Sequence, residues 1–402
     1  MSYIKENLRQ YGLVVALAVI AIFFQVLTGG VIFRPANITN LVLQNSSILI
    51  LAIGMTLVIV SFGRVDLSVG SMAALAGALS GIFIVRMGLP VWLTIIAVLL
   101  VGAVCGAWHG FWIAYRKIPF FVVTLAGMML FRGVTMILLD GTNIGPFPTE
   151  FQMISMGFLP DIFGGFYILE TSFNTTAVIV CALIALTIVL IELKKRITAK
   201  KNEVETIPFP FFILKLIFII AVISLFAWWF GASNGIPNIM VLLGILAVLY
   251  SFMANRTILG RHIYAAGGNP NTAELSGIKV KRVVFLVYVN MGILAALAGM
   301  VATARLNLAM PRAGDGFELQ AIAAAFIGGA SPNGGVGKVS GALIGAMVVG
   351  IINNGMSIMG VSVDIQQVIT GLVLLSAVIF DVSSKNRSDK TSKRAVTQAE
   401  TV

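Results

Sequence analysis

Few residues in this 402-residue chain could carry catalytic chemistry. The two histidines, His109 and His262, belong to no Ser–His–acid grouping and show no metal-ligand spacing. His109 follows Trp108 near the end of an apolar run. That position favours an amphipathic residue at a membrane–water interface over a proton relay. The sequence therefore predicts neither an enzyme nor a metal site, and it indicates no cofactor.

Two acidic residues each begin a similar segment. One segment opens Asp66-Leu-Ser68 and the other opens Glu318-Leu-Gln320, and a Gly-Ala pair follows at the same offset in both. Each carboxylate could line a polar path or cap a helix N-terminus, and capping is slightly favoured. Asp66, Ser68, Glu318 and Gln320 are therefore candidate path residues. Helices rich in small residues also resemble one another by chance.

The stretch from Pro332 to Lys338 is similar to a phosphate-binding loop. Such a loop needs Gly at its first position and Ser or Thr after its Lys. This chain has Pro332 and Val339 there, and no strand is predicted before it. The pattern predicts a tight turn that does not bind ATP.

The composition indicates what surrounds the chain. Hydrophobic residues make up 58% of it and charged residues 11%, against about 25% charged in soluble domains. The mean hydropathy is +1.00. The net charge of +11 comes from short basic clusters between apolar runs, which is typical of cytoplasmic loops in membrane proteins. Membrane lipid is the predicted environment, and nucleic acid is excluded as a partner.

Apolar runs long enough to cross a bilayer recur along the chain, so the predicted fold class is all-α and polytopic. The twelve predicted spans are 11–33, 41–61, 66–85, 90–114, 119–139, 174–193, 210–230, 237–254, 283–304, 318–331, 340–358 and 364–381. Residues 1–382 would form the transmembrane region. The polar residues 383–402 are predicted to be a disordered cytoplasmic tail.

The basic clusters fix the expected orientation. Lys and Arg concentrate in alternate loops, such as 194–201 and 255–282, so both termini are predicted to be cytoplasmic. The Gly- and Pro-rich stretch 140–173 would then be an irregular external segment. With this topology the Asp66 and Glu318 segments run in opposite directions. An inverted repeat of this kind is typical of transporters.

The inner loop 255–282 is polar and contains signals for a short helix. Asn269 is a predicted N-cap, Pro270 suits the first helical turn and Gly277 suits a helix end. A helix at 270–276 is predicted. It could be an ordinary surface helix or a docking element for a cytosolic partner.

Three motifs in this order resemble one family. They lie at 63–71 (around Asp-Leu-Ser-Val-Gly-Ser), at 260–278 (Gly-Arg, Tyr-Ala-Ala-Gly-Gly-Asn, Ser-Gly-Ile) and at 318–329 (Glu-Leu-Gln-Ala-Ile-Ala-Ala, Ile-Gly-Gly). The chain resembles, over nearly its whole length, the permease subunits of bacterial ABC importers for monosaccharides of the ribose, xylose, galactose or multiple-sugar type. These belong to the branched-chain amino acid/ribose permease superfamily.

The resemblance implies a transmembrane subunit of an ATP-driven sugar importer in the bacterial inner membrane, without ATPase motifs of its own. Its implied partners are cytosolic ATPase subunits, an external sugar-binding protein and a second permease copy. The short helix would couple ATP hydrolysis to transport. The implied coupling residues are Asn269, Pro270, Glu274, Leu275, Ser276 and Gly277.

Two features depart from the ribose type. Arg64 occupies a position where the family has Gly, and residues 166–231 form an apparent insertion of two helices on a ten-helix core. The longer chain is similar to the xylose or multiple-monosaccharide subgroup. Alternatives remain: the same architecture carrying nucleosides or branched-chain amino acids, an ion-coupled secondary transporter, or a membrane enzyme.

Overall fold

The computed structural model describes residues 2–373 except 169–170 and 203–207, together with residues 375, 376 and 379. The predicted tail 383–402 lies outside these residues. The described helices are numbered in chain order. They are α1 (Ser2–Leu27), α2 (Pro35–Phe62), α3 (Val69–Gly81), α4 (Val91–Ala114), α5 (Phe120–Leu139), α6 (Thr149–Gln152), α7 (Thr175–Lys201), α8 (Phe209–Gly231), α9 (Asn238–Arg256), α10 (Ile258–Gly268), α11 (Pro270–Leu275), α12 (Val280–Leu306), α13 (Phe317–Ile327), α14 (Val339–Ile358) and α15 (Val363–Val373).

The helices match the twelve predicted spans in order. Among the described residues, nine helices are long and apolar enough to cross a membrane, and three shorter apolar helices lie at Gly12–Leu27, Phe317–Ile327 and Val363–Val373. The all-α, polytopic membrane fold is therefore confirmed. Unpredicted elements include α10, a π-helical turn after α3 (Ile82–Arg86) and an antiparallel hairpin of β1 (Phe166–Ile168) and β2 (Thr171–Phe173).

Helix α12 forms the centre of the bundle, because small residues let its neighbours approach closely. A Cβ on Gly292 would overlap the carbonyl oxygen of Gly102 in α4. Further along α4, a Cβ on Gly106 would overlap the carbonyl oxygen of Tyr288. Because the α4 numbers rise as the α12 numbers fall, the two helices are antiparallel.

Helices α2 and α12 occupy equivalent places in two inverted halves. They cross antiparallel, with Ser47 Oγ donating to the carbonyl of Ala298 at 3.0 Å. Helices α3 and α4 both pack on α12, and helices α13 and α14 both pack on α2. The predicted inverted repeat is therefore visible in the packing: the two helices that follow α2 pack on α12, and the two that follow α12 pack on α2.

Helices α7 and α8 pack against each other and reach the core near the first residues of α2. The Thr39 and Ser233 hydroxyls lie 3.1 Å apart, and the Phe33 and Trp229 rings lie 5.8 Å apart. These contacts show a helical hairpin attached at one edge of the bundle, within the predicted insertion at 166–231. Its status as an insertion stays a prediction.

Asp161 organises the irregular stretch before α7. Its carboxylate accepts hydrogen bonds from the Thr176 hydroxyl at 3.0 Å and from the backbone N–H groups of Thr175 and Thr176, both at 3.2 Å. Partial desolvation raises the pKa of Asp161, but these hydrogen bonds outweigh it and hold the pKa below its usual range. The ionised carboxylate therefore fixes the start of α7.

Replacing Gly292 with Ala tests the α4–α12 crossing. We expect a loss of about 1–3 kcal/mol in stability, since the added methyl meets backbone atoms that cannot move alone. Gly244→Ala is the matched control, because a Cβ there has nothing within 4 Å. It should gain up to about 1 kcal/mol from helix propensity. Thermal unfolding in detergent measures both, and equal shifts would contradict close packing.

The Asp161 contacts predict a pH dependence. A carboxyl with a lowered pKa stabilises the fold above its unfolded-state pKa of about 3.9, and this stabilisation is lost as the pH falls through the folded-state pKa. We expect the protection factors of the Thr175 and Thr176 amides, which compare their exchange with that of an unstructured amide at the same pH, to be high at neutral pH and lower in acid. Asp161→Asn should exchange fast throughout, while Glu150→Gln should behave as the wild type.

Candidate functional site

The chain leaves helical geometry between α2 and α3. Gly63 ends α2 with a φ of +65°, and α3 begins at Val69. Asp66 lies in this break and is fully buried. Its Oδ1 accepts hydrogen bonds from the Ser68 backbone N–H at 2.9 Å and from the Ser68 hydroxyl at 2.6 Å. The predicted capping role is wrong in detail, since Ser68 holds the N-cap position and Asp66 instead fixes the turn before it.

The break lies well inside the bundle. Asp66 lies beside His109, 3.9 Å from its Nδ1, and His109 is five residues before α4 ends at Ala114. Five residues correspond to about 8 Å along the helix axis. A non-helical backbone at such a depth needs hydrogen-bond partners from the protein. Here the Asp66 carboxylate is the partner of the Ser68 backbone N–H.

His109 belongs to this buried region, and its predicted place at a membrane interface is wrong. Its side chain is 0% exposed, and Nδ1 lies 3.9 Å from Oδ2 of Asp66. The ring packs edge-on to Phe131 of α5, and Nε2 occupies the space that a Cβ on Gly127 would need. The interface prediction failed because α5 and the break both cover this face of α4.

A second break precedes α13 and meets the first. A Cβ on Gly70, in the first turn of α3, would overlap both the Glu318 carboxylate and the Gly314 carbonyl oxygen. Glu318 lies in the first turn of α13 and is half-buried, as is Gln320. A carboxylate in this position is favourable at a helix N-terminus. The structure therefore brings the beginnings of the two repeated segments together.

Arg132 of α5 holds the second break. Its Nη1 donates to the carbonyl oxygens of Pro311 at 3.1 Å and Ala313 at 2.8 Å, and its Nη2 pairs with Asp315. The sequence interpretation missed this residue. The available signal was a single Arg within the otherwise apolar span 119–139, because intramembrane ionisable residues are costly and usually functional.

The predicted short helix is present as α11. The Asn269 side chain accepts the Thr272 N–H at 3.1 Å, Pro270 starts the helix, and Gly277 follows it with a φ of +82°. The helix ends one residue earlier than predicted, at Leu275, whose side chain is 90% exposed. Helix α10, capped by Thr257, precedes it and was not predicted. The predicted coupling residues thus form one exposed element.

Helix α10 is fixed to the bundle by close backbone contacts. The Gly335 N–H donates to the Val60 carbonyl at 2.8 Å. A Cβ on Gly267 of α10 would overlap the same carbonyl oxygen, and a Cβ on Gly63 would overlap that of Pro332. The turn that was compared with a phosphate-binding loop therefore packs against both α2 and α10. We call these contacts the glycine junction.

A pocket of about 510 Å³ lies beside α11. Arg64, Glu274 and Lys281 all line it. Arg64 also stacks on the Phe62 ring, with its guanidinium carbon 4.6 Å from the ring centroid. The pocket therefore places α11 next to the segment that leads to Asp66. Within the described ranges, no cluster of His, Cys, Asp and Glu could hold a metal ion.

Arg132→Met tests the clamp on the second break. Removing hydrogen bonds from a charged donor should destabilise the protein by about 1–3 kcal/mol and speed hydrogen exchange at 310–317. Arg132→Lys should recover part of the loss, because a compact ammonium cannot serve all three acceptors together. Arg86→Met is the control, since Arg86 makes one long bond of 3.4 Å to Leu138. An equal effect of both Met variants would contradict the clamp.

Comparison with known proteins covers most of the chain. The chain is 38% identical over 381 residues to the xylose transport system permease protein of Haemophilus influenzae. The aligned region covers 95% of this chain and 98% of that protein. It is 38% identical over 383 residues to the xylose permease protein of Escherichia coli K12, covering 95% and 94% of the two chains.

The ribose import permease protein of E. coli K12 is 34% identical over 351 residues, covering 87% of this chain and 86% of that protein. No solved structure is significantly similar. Residues 37–378 match the family described as branched-chain amino acid transport system / permease component. This range contains both breaks, the glycine junction and α11, and the chain belongs to that permease family.

Proposed function

We propose that this chain is the transmembrane permease subunit of an ATP-driven importer for a monosaccharide of the xylose type. The observation that carries the proposal is the 38% identity with xylose permeases across 95% of the chain. That similarity extends over more of the chain than the 87% matched by the ribose permease. The xylose permeases therefore support a pentose as cargo and the helical hairpin α7–α8 as part of the shared architecture.

In the proposed assembly, two permease copies form the pathway and cytosolic ABC ATPase subunits bind from the cytoplasmic side. An external sugar-binding protein delivers the substrate. Helix α11 is the coupling element, because it is short, exposed and outside the spanning helices. Asn269 and Pro270 set its start, Glu274 and Leu275 present side chains to the ATPase, and Ser276 with Gly277 ends it. Both termini are cytoplasmic in this orientation.

The proposed path runs where the two breaks meet. Glu318 and Gln320 are half-exposed there. Asp66 and Ser68 are fully buried in this conformation, so they reach the path only when the breaks separate. The glycine junction supports such coupling, since α10 contacts both α2 and the 331–338 turn through backbone atoms. A push on α11 can then be passed to both halves of the repeat.

The alternatives differ in what drives uptake and in cargo. The permease should be reconstituted in vesicles with its ATPase and binding protein, and labelled xylose, ribose, a nucleoside and leucine compared. We expect pentose uptake that requires ATP and persists with an ionophore. Uptake that fails with the ionophore and survives without ATP would identify a secondary transporter. Preferential uptake of leucine or of the nucleoside would show that the cargo is not a monosaccharide.

Substitutions in α11 test the coupling element. Glu274→Lys and Gly277→Val should lower sugar uptake about tenfold or more, by reversing a charge at a protein interface and by forcing a β-branched residue into a left-handed conformation. Membrane insertion should be unchanged and ATP hydrolysis should continue without transport. Glu150→Lys, in the stretch expected on the opposite side, is the control. Normal uptake in both α11 variants would show that the coupling residues lie elsewhere.

A further inference from the structure

Three ionisable side chains meet in the bundle without complete hydrogen bonding. Asp66, His109 and Tyr288 are 0%, 0% and 1% exposed. Among the described side chains, Oδ2 of Asp66, both ring nitrogens of His109 and the hydroxyl of Tyr288 are buried and have no hydrogen-bond partner. Buried polar groups in proteins are almost always paired, so three ionisable groups that are unpaired at one place call for an explanation.

The three residues come from different elements. Asp66 lies in the first break, His109 in α4 and Tyr288 in α12. The His109 ring centroid is 6.4 Å from that of Tyr288 and 5.5 Å from that of Phe131. The rings of Trp108, Phe131 and Tyr288 pack around the imidazole, together with bare Gly127. Asp66 Oδ2, 3.9 Å from Nδ1, is a nearby acceptor that lacks a donor.

We infer that His109 is a positioning residue for the first break: its Nδ1–H donates to Oδ2 of Asp66 in one end state of transport and is separated from it in the other. The inference rests on the proposed function. An N–H···O bond is typically about 2.9 Å long. A shift of about 1 Å between α4 and the break therefore makes the bond from the 3.9 Å seen here. The contact is called the polar latch.

Only one carboxylate oxygen is free to take part. Oδ1 is held by the backbone and hydroxyl of Ser68, so the carboxylate is already oriented. Two residues earlier, Arg64 lines the pocket that also contains Glu274 of α11. In the proposed function, a movement of α11 would therefore occur next to the short segment that carries Asp66. The latch would stabilise one arrangement of the break, and hence of α3, over the other.

Amide substitutions at His109 give a test that ordinary packing would not pass. The Asn amide nitrogen occupies a position near that of Nδ1, whereas the Gln amide nitrogen lies nearer to that of Nε2. We expect His109→Asn to retain most of the maximal uptake rate. His109→Gln and His109→Phe should lower it about tenfold, with the KM for the loaded binding protein unchanged. Cys105→Ala, at a buried site in the same helix, should transport normally.

Double substitutions give a second readout, thermal stability, that does not depend on transport. Asp66→Asn and His109→Phe should be non-additive in thermal stability, because either one removes the latch. Gly127→Ala by itself should lower the thermal stability, because its methyl meets the His109 ring. In a His109→Ala background it should have little effect on stability, because the smaller side chain leaves room for the methyl. Additive effects, or a His109→Phe variant with wild-type uptake, would overturn the inference. Absence of sugar uptake by the wild type would instead reject the proposed function, and the stability cycle would still decide the latch.

Discussion

A backbone that stops being helical inside a bilayer must find its hydrogen-bond partners within the protein, because lipid offers none. Much of the arrangement described above follows from this constraint. The first break is served by Asp66 and Ser68, and the second by Arg132, which binds two carbonyl groups and Asp315. In both breaks a helix begins within the bundle, and the beginnings of α3 and α13 lie against each other.

Small residues solve the related problem of bringing these breaks together. The contacts between α4 and α12, between Gly70 and Gly314, and within the glycine junction all leave no room for a Cβ. Without a hydrophobic force between helices in lipid, such close packing supplies much of their association. The same contacts join α10, and through it α11, to the ends of α2 and to the 331–338 turn. If α11 is the coupling element proposed above, its attachment through backbone contacts allows a displacement to pass on with little loss in flexible side chains.

Hydrophobicity and cap chemistry predicted what depends on local sequence. The apolar runs gave the order of the helices, and Asn269, Pro270 and Gly277 gave α11 nearly to its ends. The sequence separated the spans 41–61 and 66–85, but the burial of Asp66 between them was hidden, because Val65 and Leu67 continue the apolar character of these spans. His109 and Arg132 were misplaced or missed for another reason. Their roles depend on which helix faces which, and buried helices with apolar residues on all sides carry little directional information.

The two breaks are held unequally, and this difference bears on which of them moves. Each contributes an acid, Asp66 or Asp315, that faces a basic side chain from a neighbouring helix. Arg132 binds the second break through its ion pair and two backbone carbonyls, a geometry suited to the planar guanidinium. His109 has one available bond to Asp66, and at 3.9 Å it is not made. Arg132 fixes the second break with three side-chain contacts from another helix, whereas the Asp66 carboxylate is bonded only within its own turn. We therefore expect the segment around Asp66 to shift more readily than the second break, and Arg64 in that segment shares a pocket with α11.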